Sequence, residues 1–192
     1  MTIRYRLIFT LSAMALLAGC AQPQTTHVQN ELGQLNQKLR DLSDRAAALE
    51  QQNSLNANST SGAYLLPAAK DSALIDSSIG RLSLSLSQIE PEANGTRALL
   101  VFRTLNDTAL PAFSVQINWG PLDPVSGKPL DIDMQTLSLT VPQPLIPKPE
   151  VTVDVRLSDL SPEQLGFVRV HHIIAEPSTH GVNESTGTSG RN

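Results

Sequence analysis

"RLSLSLSQIEPEANGTRALLVF", Arg81 to Phe102, decides the fold. Leu82, Leu84 and Leu86 alternate with Ser83, Ser85 and Ser87. A period of two places the leucines on one side of an extended chain and the serines on the other, the pattern of a half-buried strand. Asn94-Gly95 then reads as a tight hairpin turn, because both central positions of such a turn favour positive φ. A second strand is expected to return over 97–105.

Similar signals follow downstream. "FSVQINWG" (113–120) sets Phe113, Val115, Ile117 and Trp119 on one face. "QTLSLTV" (135–141) alternates again. "VTVDVRL" (151–157) points Val151, Val153, Val155 and Leu157 inward, and "FVRVHHII" (167–174) reads as the last strand. Turn regions such as "PLDPVSGKPL" (121–130) separate them. Six or seven short strands predict a mainly β fold, an immunoglobulin-like β-sandwich over 64–175, with a small barrel as the alternative. In "LSPEQLG" (160–166), Ser161, Pro162 and Gln164 predict one capped helical turn.

Upstream the period changes. Val28, Leu32, Leu35, Leu39, Leu42, Ala46 and Leu49 step by four and three, a heptad over 28–53. Leu32, Leu39 and Ala46 form one seam row; Val28, Leu35, Leu42 and Leu49 form the other. Arg45 and Glu50 fall on flanking positions where parallel chains can pair them. Two readings stand: an amphipathic helix lying on its own domain, or a short parallel coiled-coil stalk through which copies self-associate. The polar segment 54–63 reads as a flexible linker, and the Gly/Ser/Thr/Asn-rich segment 176–192 as a disordered tail.

The N-terminus supplies an address. Arg4 and Arg6 precede the apolar run "LIFTLSAMALLA", and small residues lead into Cys20, the one cysteine among 192 residues. A charged start, a short apolar run and small residues at a boundary describe a signal peptide over 1–19. Leu17-Ala18-Gly19-Cys20 resembles a bacterial lipobox. That resemblance implies cleavage before Cys20 and lipid attachment to its sulfur, with 20–27 as a membrane-proximal tether. Several acyl chains on one residue hold a protein on a bilayer without spanning it. By the sorting rule of Gram-negative lipoproteins, Ala21 after the cysteine favours the outer membrane, facing the periplasm, over the inner membrane.

"SSIGRLSLSLSQIEPEANGT" (77–96), "LPAF" (110–113) and "QLGFVRVHHI" (164–173) resemble the corresponding stretches of the YajI family of enterobacterial lipoproteins. The resemblance covers most of 64–175. It implies a lipid-anchored envelope protein with a β-rich domain, and it transfers no catalytic residue. The longer polar C-terminal tail departs from the family.

No chemistry stands out in the residues. The formal charge of −4 becomes −6 once Arg4 and Arg6 leave with the signal peptide, which argues against nucleic acid. His171 and His172 are adjacent in a strand and are expected to face opposite sides, so no metal site is assigned to them. His27 and His180 stand apart. Asp131 and Asp133 are expected on the same face of a strand, a pair too small for calcium. G-x-S-x-G, P-loop and H-E-x-x-H patterns do not occur. Pro142, Pro144, Pro147 and Pro149 make 141–150 a stiff connection that shields a sheet edge, the alternative being a docking ligand. No catalytic residue, cofactor or metal is therefore expected. The expected function is that of a non-enzymatic, lipid-anchored envelope lipoprotein whose sandwich binds an unidentified envelope protein. The alternatives are a cell-wall-directed hydrolase and a periplasmic ligand- or metal-binding module.

Overall fold

The computed structural model describes residues 24–177, with side chains from residue 29 onward; Cys20, the signal peptide and the tail from 178 lie outside the described residues, as do the side chains of His27 and Val28. One helix, α1 (Gln24–Ala57), precedes eight strands. These are β1 (Ala63–Leu65), β2 (Ala73–Ser77), β3 (Gly80–Glu92), β4 (Gly95–Thr104), β5 (Phe113–Gly120), β6 (Gln135–Val141), β7 (Glu150–Ser158) and β8 (Phe167–Ala175). They form two four-stranded antiparallel sheets, ordered β2-β3-β4-β7 and β1-β8-β5-β6. The chain is thus a mainly β protein with a sandwich architecture and one N-terminal helix.

The β3–β4 hairpin has the expected partners and a different turn. Ala93-Asn94 forms the loop, and Gly95 pairs with Glu92 as the first residue of β4. β3 also carries a bulge, where Gln88 and Ile89 together oppose Ala98. Gln88 adopts φ 47° at this bulge. The extra residue reverses the phase of alternation. Leu82, Leu84 and Leu86 therefore point inward, and so does Ile89, five residues after Leu84. Gly95 is required for another reason: a Cβ there would lie 2.2 Å from the Leu157 carbonyl oxygen on β7.

The sheets meet over Leu82, Leu84, Leu100 and Phe102 on one side and Phe113, Val115, Ile117, Val168 and Val170 on the other, all buried. Phe102 and Phe113 touch edge to face across the interior, 5.1 Å apart at 61°. Trp119 Nε1 donates to the Ser158 carbonyl at 3.0 Å and links the end of β5 to the end of β7. Thr96, also buried, donates to the Leu160 carbonyl at 2.7 Å. Each of these ties satisfies a polar group that would be costly to bury alone.

The expected turn at 161–166 is present: Ser161 N donates to Gln164 Oε1 at 3.2 Å, half of a capping box. Asp131–Asp133 is a single 3-10 turn, not a strand. At about three residues per turn, Asp131 and Asp133 do not share a face as expected. The proline-rich segment joins β6 to β7, an edge strand of each sheet. It is tied down by Leu110 N to Lys148 O and Thr104 N to Pro149 O, both 2.9 Å. Just before these ties Leu145 and Ile146 are exposed.

Candidate functional site

The helix carries the most informative surface. It runs four residues beyond the heptad at each end, Gln24–Ala57 against 28–53. The chain divides into two compact units after Ser43. In the first, Leu32, Leu35, Leu39 and Leu42 are 53–62% exposed. These are seam positions of the heptad. Four leucines one or two turns apart on one side of a helix form an apolar stripe with no covering chain among the described residues.

From Asp44 onward the helix belongs to the sandwich. Ala48, Leu49 and Leu55 pack with Tyr64, Leu66, Ala69, Leu122, Met134 and Phe167 in a second apolar cluster on the outer face of sheet β1-β8-β5-β6. Phe167 is fully buried there and meets Tyr64 at 5.8 Å. Polar side chains fasten the same face to the backbone of 64–72. Arg45 donates to the carbonyls of Ala69 and Lys70, both at 3.1 Å. Gln52, fully buried, accepts from Leu66 N at 2.8 Å and reaches Ser72 O at 3.4 Å. Asn56 accepts from Tyr64 N at 2.6 Å and donates to Tyr64 O at 2.9 Å. Asn56 thereby stands in for a neighbouring strand beside β1.

Within this unit the docked face of the helix departs from the heptad. Leu49 stays on it, but Ala46 and Asn53, the next seam residues by spacing, are exposed. Arg45 and Gln52 take their side of the helix. Arg45 engages its own domain's carbonyls through Nε and Nη2. The expected linker 54–63 is structured in part. Residues 54–57 are helical, and Ser59 Oγ donates to Gly62 O at 2.8 Å. Gln52 and Asn56 hold the segment because their amides match the unpaired backbone of 64–66, a relation invisible to periodicity.

The histidine pair also departs from expectation. In β8, His172 and Ile173 together oppose Val115 of β5, a second bulge. His172 adopts φ 50°. The bulge again reverses the phase, so Ile173 enters the core after Val168 and Val170. It also turns the two rings toward each other: their centroids are 4.7 Å apart at 70°, and Nδ1 of one faces Nδ1 of the other. His171 is buried and His172 exposed, but the rings do not point to opposite sides as expected. Burial pushes the His171 pKa down, assisted by Arg169 and His172. Its Nε2 has no partner. No group of three or more His, Cys, Asp or Glu able to hold a metal occurs among the described residues.

On the outer face of sheet β2-β3-β4-β7, Arg97 Nε lies 3.1 and 3.0 Å from the two Asp154 oxygens. The Arg97 hydrogen bonds hold the Asp154 carboxyl below its usual range. Both groups are solvated, and such surface pairs add little stability.

A family model described as "Protein of unknown function (DUF3251)" matches residues 20–179. The chain belongs to this family. A curated relative, the uncharacterized lipoprotein YajI of Escherichia coli (strain K12), is 34% identical over 169 residues, 88% of this chain and 94% of the relative. The solution NMR structure of that E. coli lipoprotein superposes with a TM-score of 0.65 at 34% identity, covering 74% of this chain and 84% of the other. The trimeric lipoprotein SadB of Salmonella enterica gives a TM-score of 0.49 at 16% identity, covering 89% of each chain. The resemblance to YajI is thus established over most of the chain, and that curated relative is named a lipoprotein. Among the described residues no helix is long and apolar enough to cross a membrane.

Proposed function

We propose that this chain is a non-enzymatic envelope lipoprotein, acylated at Cys20 and held on the periplasmic face of the outer membrane. In this reading the first half of α1 is an association surface and the sandwich is presented to an envelope partner. The observation that carries it is the run of exposed seam leucines, Leu32, Leu35, Leu39 and Leu42, placed shortly after the lipobox cysteine. Burying four leucines between copies is favourable at about 1.5–3 kcal/mol for each fully buried side chain. A common lipid anchor raises local concentration and aligns chains in parallel, which lowers the entropic cost of pairing. Because the helix is claimed by its own domain from Arg45, the proposed coiled coil is confined to about two heptads, 28–42. That length is marginal without the anchor.

The test is a cysteine scan in the lipidated chain. Leu35→Cys lies on the seam and Lys38→Cys lies off it. With the anchor intact, oxidation should give a disulfide-linked dimer from Leu35→Cys and little from Lys38→Cys. Equal yields from both would refute the seam. Cys20→Ser should abolish acylation, read as loss of the acyl mass from the mature N-terminus. A mature protein that keeps residues 1–19 or carries no lipid would refute the anchor.

A further inference from the structure

Three segments of the second unit line an open cleft of about 600 Å³. They are the end of α1 with the residues after it, the paired strands β1 and β8 through Tyr64 and Arg169, and the loop 126–131. Gln51 spans the cleft at one point, donating to the Gly127 carbonyl. The volume falls within the range of ligand sites, about 300–1,000 Å³. The lining does not resemble an ordinary apolar pocket. Leu55, Pro129 and the Tyr64 ring are its apolar members; hydroxyls and carboxamides supply most of the rest, including Ser54, Asn58, Thr60 and Ser126.

Charge gives the cleft a sign. Lys128 and Arg169 line it against one acid, Asp131. Among the described residues neither cation is in an ion pair. Arg169 is held in place: its guanidinium lies over the Tyr64 ring at 5.3 Å, and Nη2 donates to Ser61 Oγ at 3.2 Å. Its Nε is buried without a partner. A planar guanidinium fixed this way suits an oxyanion, and Lys128 adds a mobile point charge.

We propose that this cleft binds an anionic saccharide, a polyhydroxylated ligand bearing a carboxylate or a phosphate. Hydroxyl and carboxamide groups donate and accept in turn, which matches sugar hydroxyls. The cations and hydroxyls spread along the lining disfavour an acyl chain, and the excess of cations disfavours a metal ion. The proposal is independent of self-association; only its choice of probes rests on the envelope reading.

The experiment uses the full lipidated chain, isotope-labelled, in detergent micelles, followed by amide NMR. Soluble cell-wall disaccharide-peptides supply the carboxylate arm, deacylated lipopolysaccharide core supplies the phosphate arm, and maltotriose is the neutral control. The expected result is saturable shifts at Ser59, Tyr64, Lys128 and Arg169 with an anionic probe, at least tenfold tighter than any with maltotriose; the probe that binds identifies the source of the anion. Lys128 is exposed, so Lys128→Gln should leave the thermal midpoint unchanged, weaken binding about tenfold and flatten its salt dependence. Arg169→Gln also loses the tie to Ser61 and is not diagnostic. No saturable shift with either anion, equal binding of maltotriose, or unaltered binding by Lys128→Gln would overturn the proposal.

Discussion

Replacing Gln52 by Leu tests whether the helix is part of the folded domain or only precedes it. Gln52 is fully buried, and its Oε1 is the acceptor for Leu66 N at 2.8 Å. Leu fills a similar volume but accepts no hydrogen bond, so the Leu66 amide is left buried and unsatisfied. That costs about 1–3 kcal/mol. The second contact, to Ser72 O at 3.4 Å, is long and adds little. For a chain of this size about 2 kcal/mol lowers the thermal midpoint by roughly 4–8 °C. The comparison variant is Asn53→Leu, one residue on. If the heptad seam ran unbroken, Asn53 would lie on it and leucine there would stabilise; exposed as it is, the change should stay within about 0.5 kcal/mol. Circular dichroism melts read the midpoints, and amide exchange of Leu66 reads the local effect. A Gln52→Leu midpoint equal to wild type with unchanged Leu66 protection would refute the docking argument.

Phe167 anchors the cluster beneath the helix, and Phe167→Ala should destabilise by about 3–5 kcal/mol in urea unfolding, since a fully buried aromatic leaves a cavity. The pH response follows from His171, whose pKa is depressed by burial, with Arg169 and His172 assisting. Its contribution is fully present above the ordinary histidine pKa of about 6.5, declines as pH falls below that value, and levels off under the depressed folded pKa. The urea midpoint should therefore drop on acidification from neutral pH, and His171→Gln should reduce that drop; an identical pH profile in the variant would exclude His171 as its source.

Much of the architecture was legible from short-range pattern. Alternation at Leu82–Leu86, Phe113–Trp119 and Val151–Leu157 named the inward faces, because a strand's side chains alternate whatever surrounds it. The heptad named the helix for the same reason. Pairing could not be read this way. The bulges at Gln88-Ile89 and His172-Ile173 shift the pairing register while Ile89 and Ile173 stay inside, and the second brings two histidine rings together. The docked face of the helix from Asp44 onward has a similar origin. Heptad spacing assigns one face to the whole helix, but from Arg45 the surface it meets is a sheet face with unpaired backbone at 64–72, and hydrogen bonding to that backbone selects Arg45, Gln52 and Asn56 over Ala46 and Asn53. Sequence periodicity thus determined which residues are apolar and on which local face. Tertiary structure decided what each face meets, since that depends on residues far away in the chain whose backbone groups and volumes must be satisfied together.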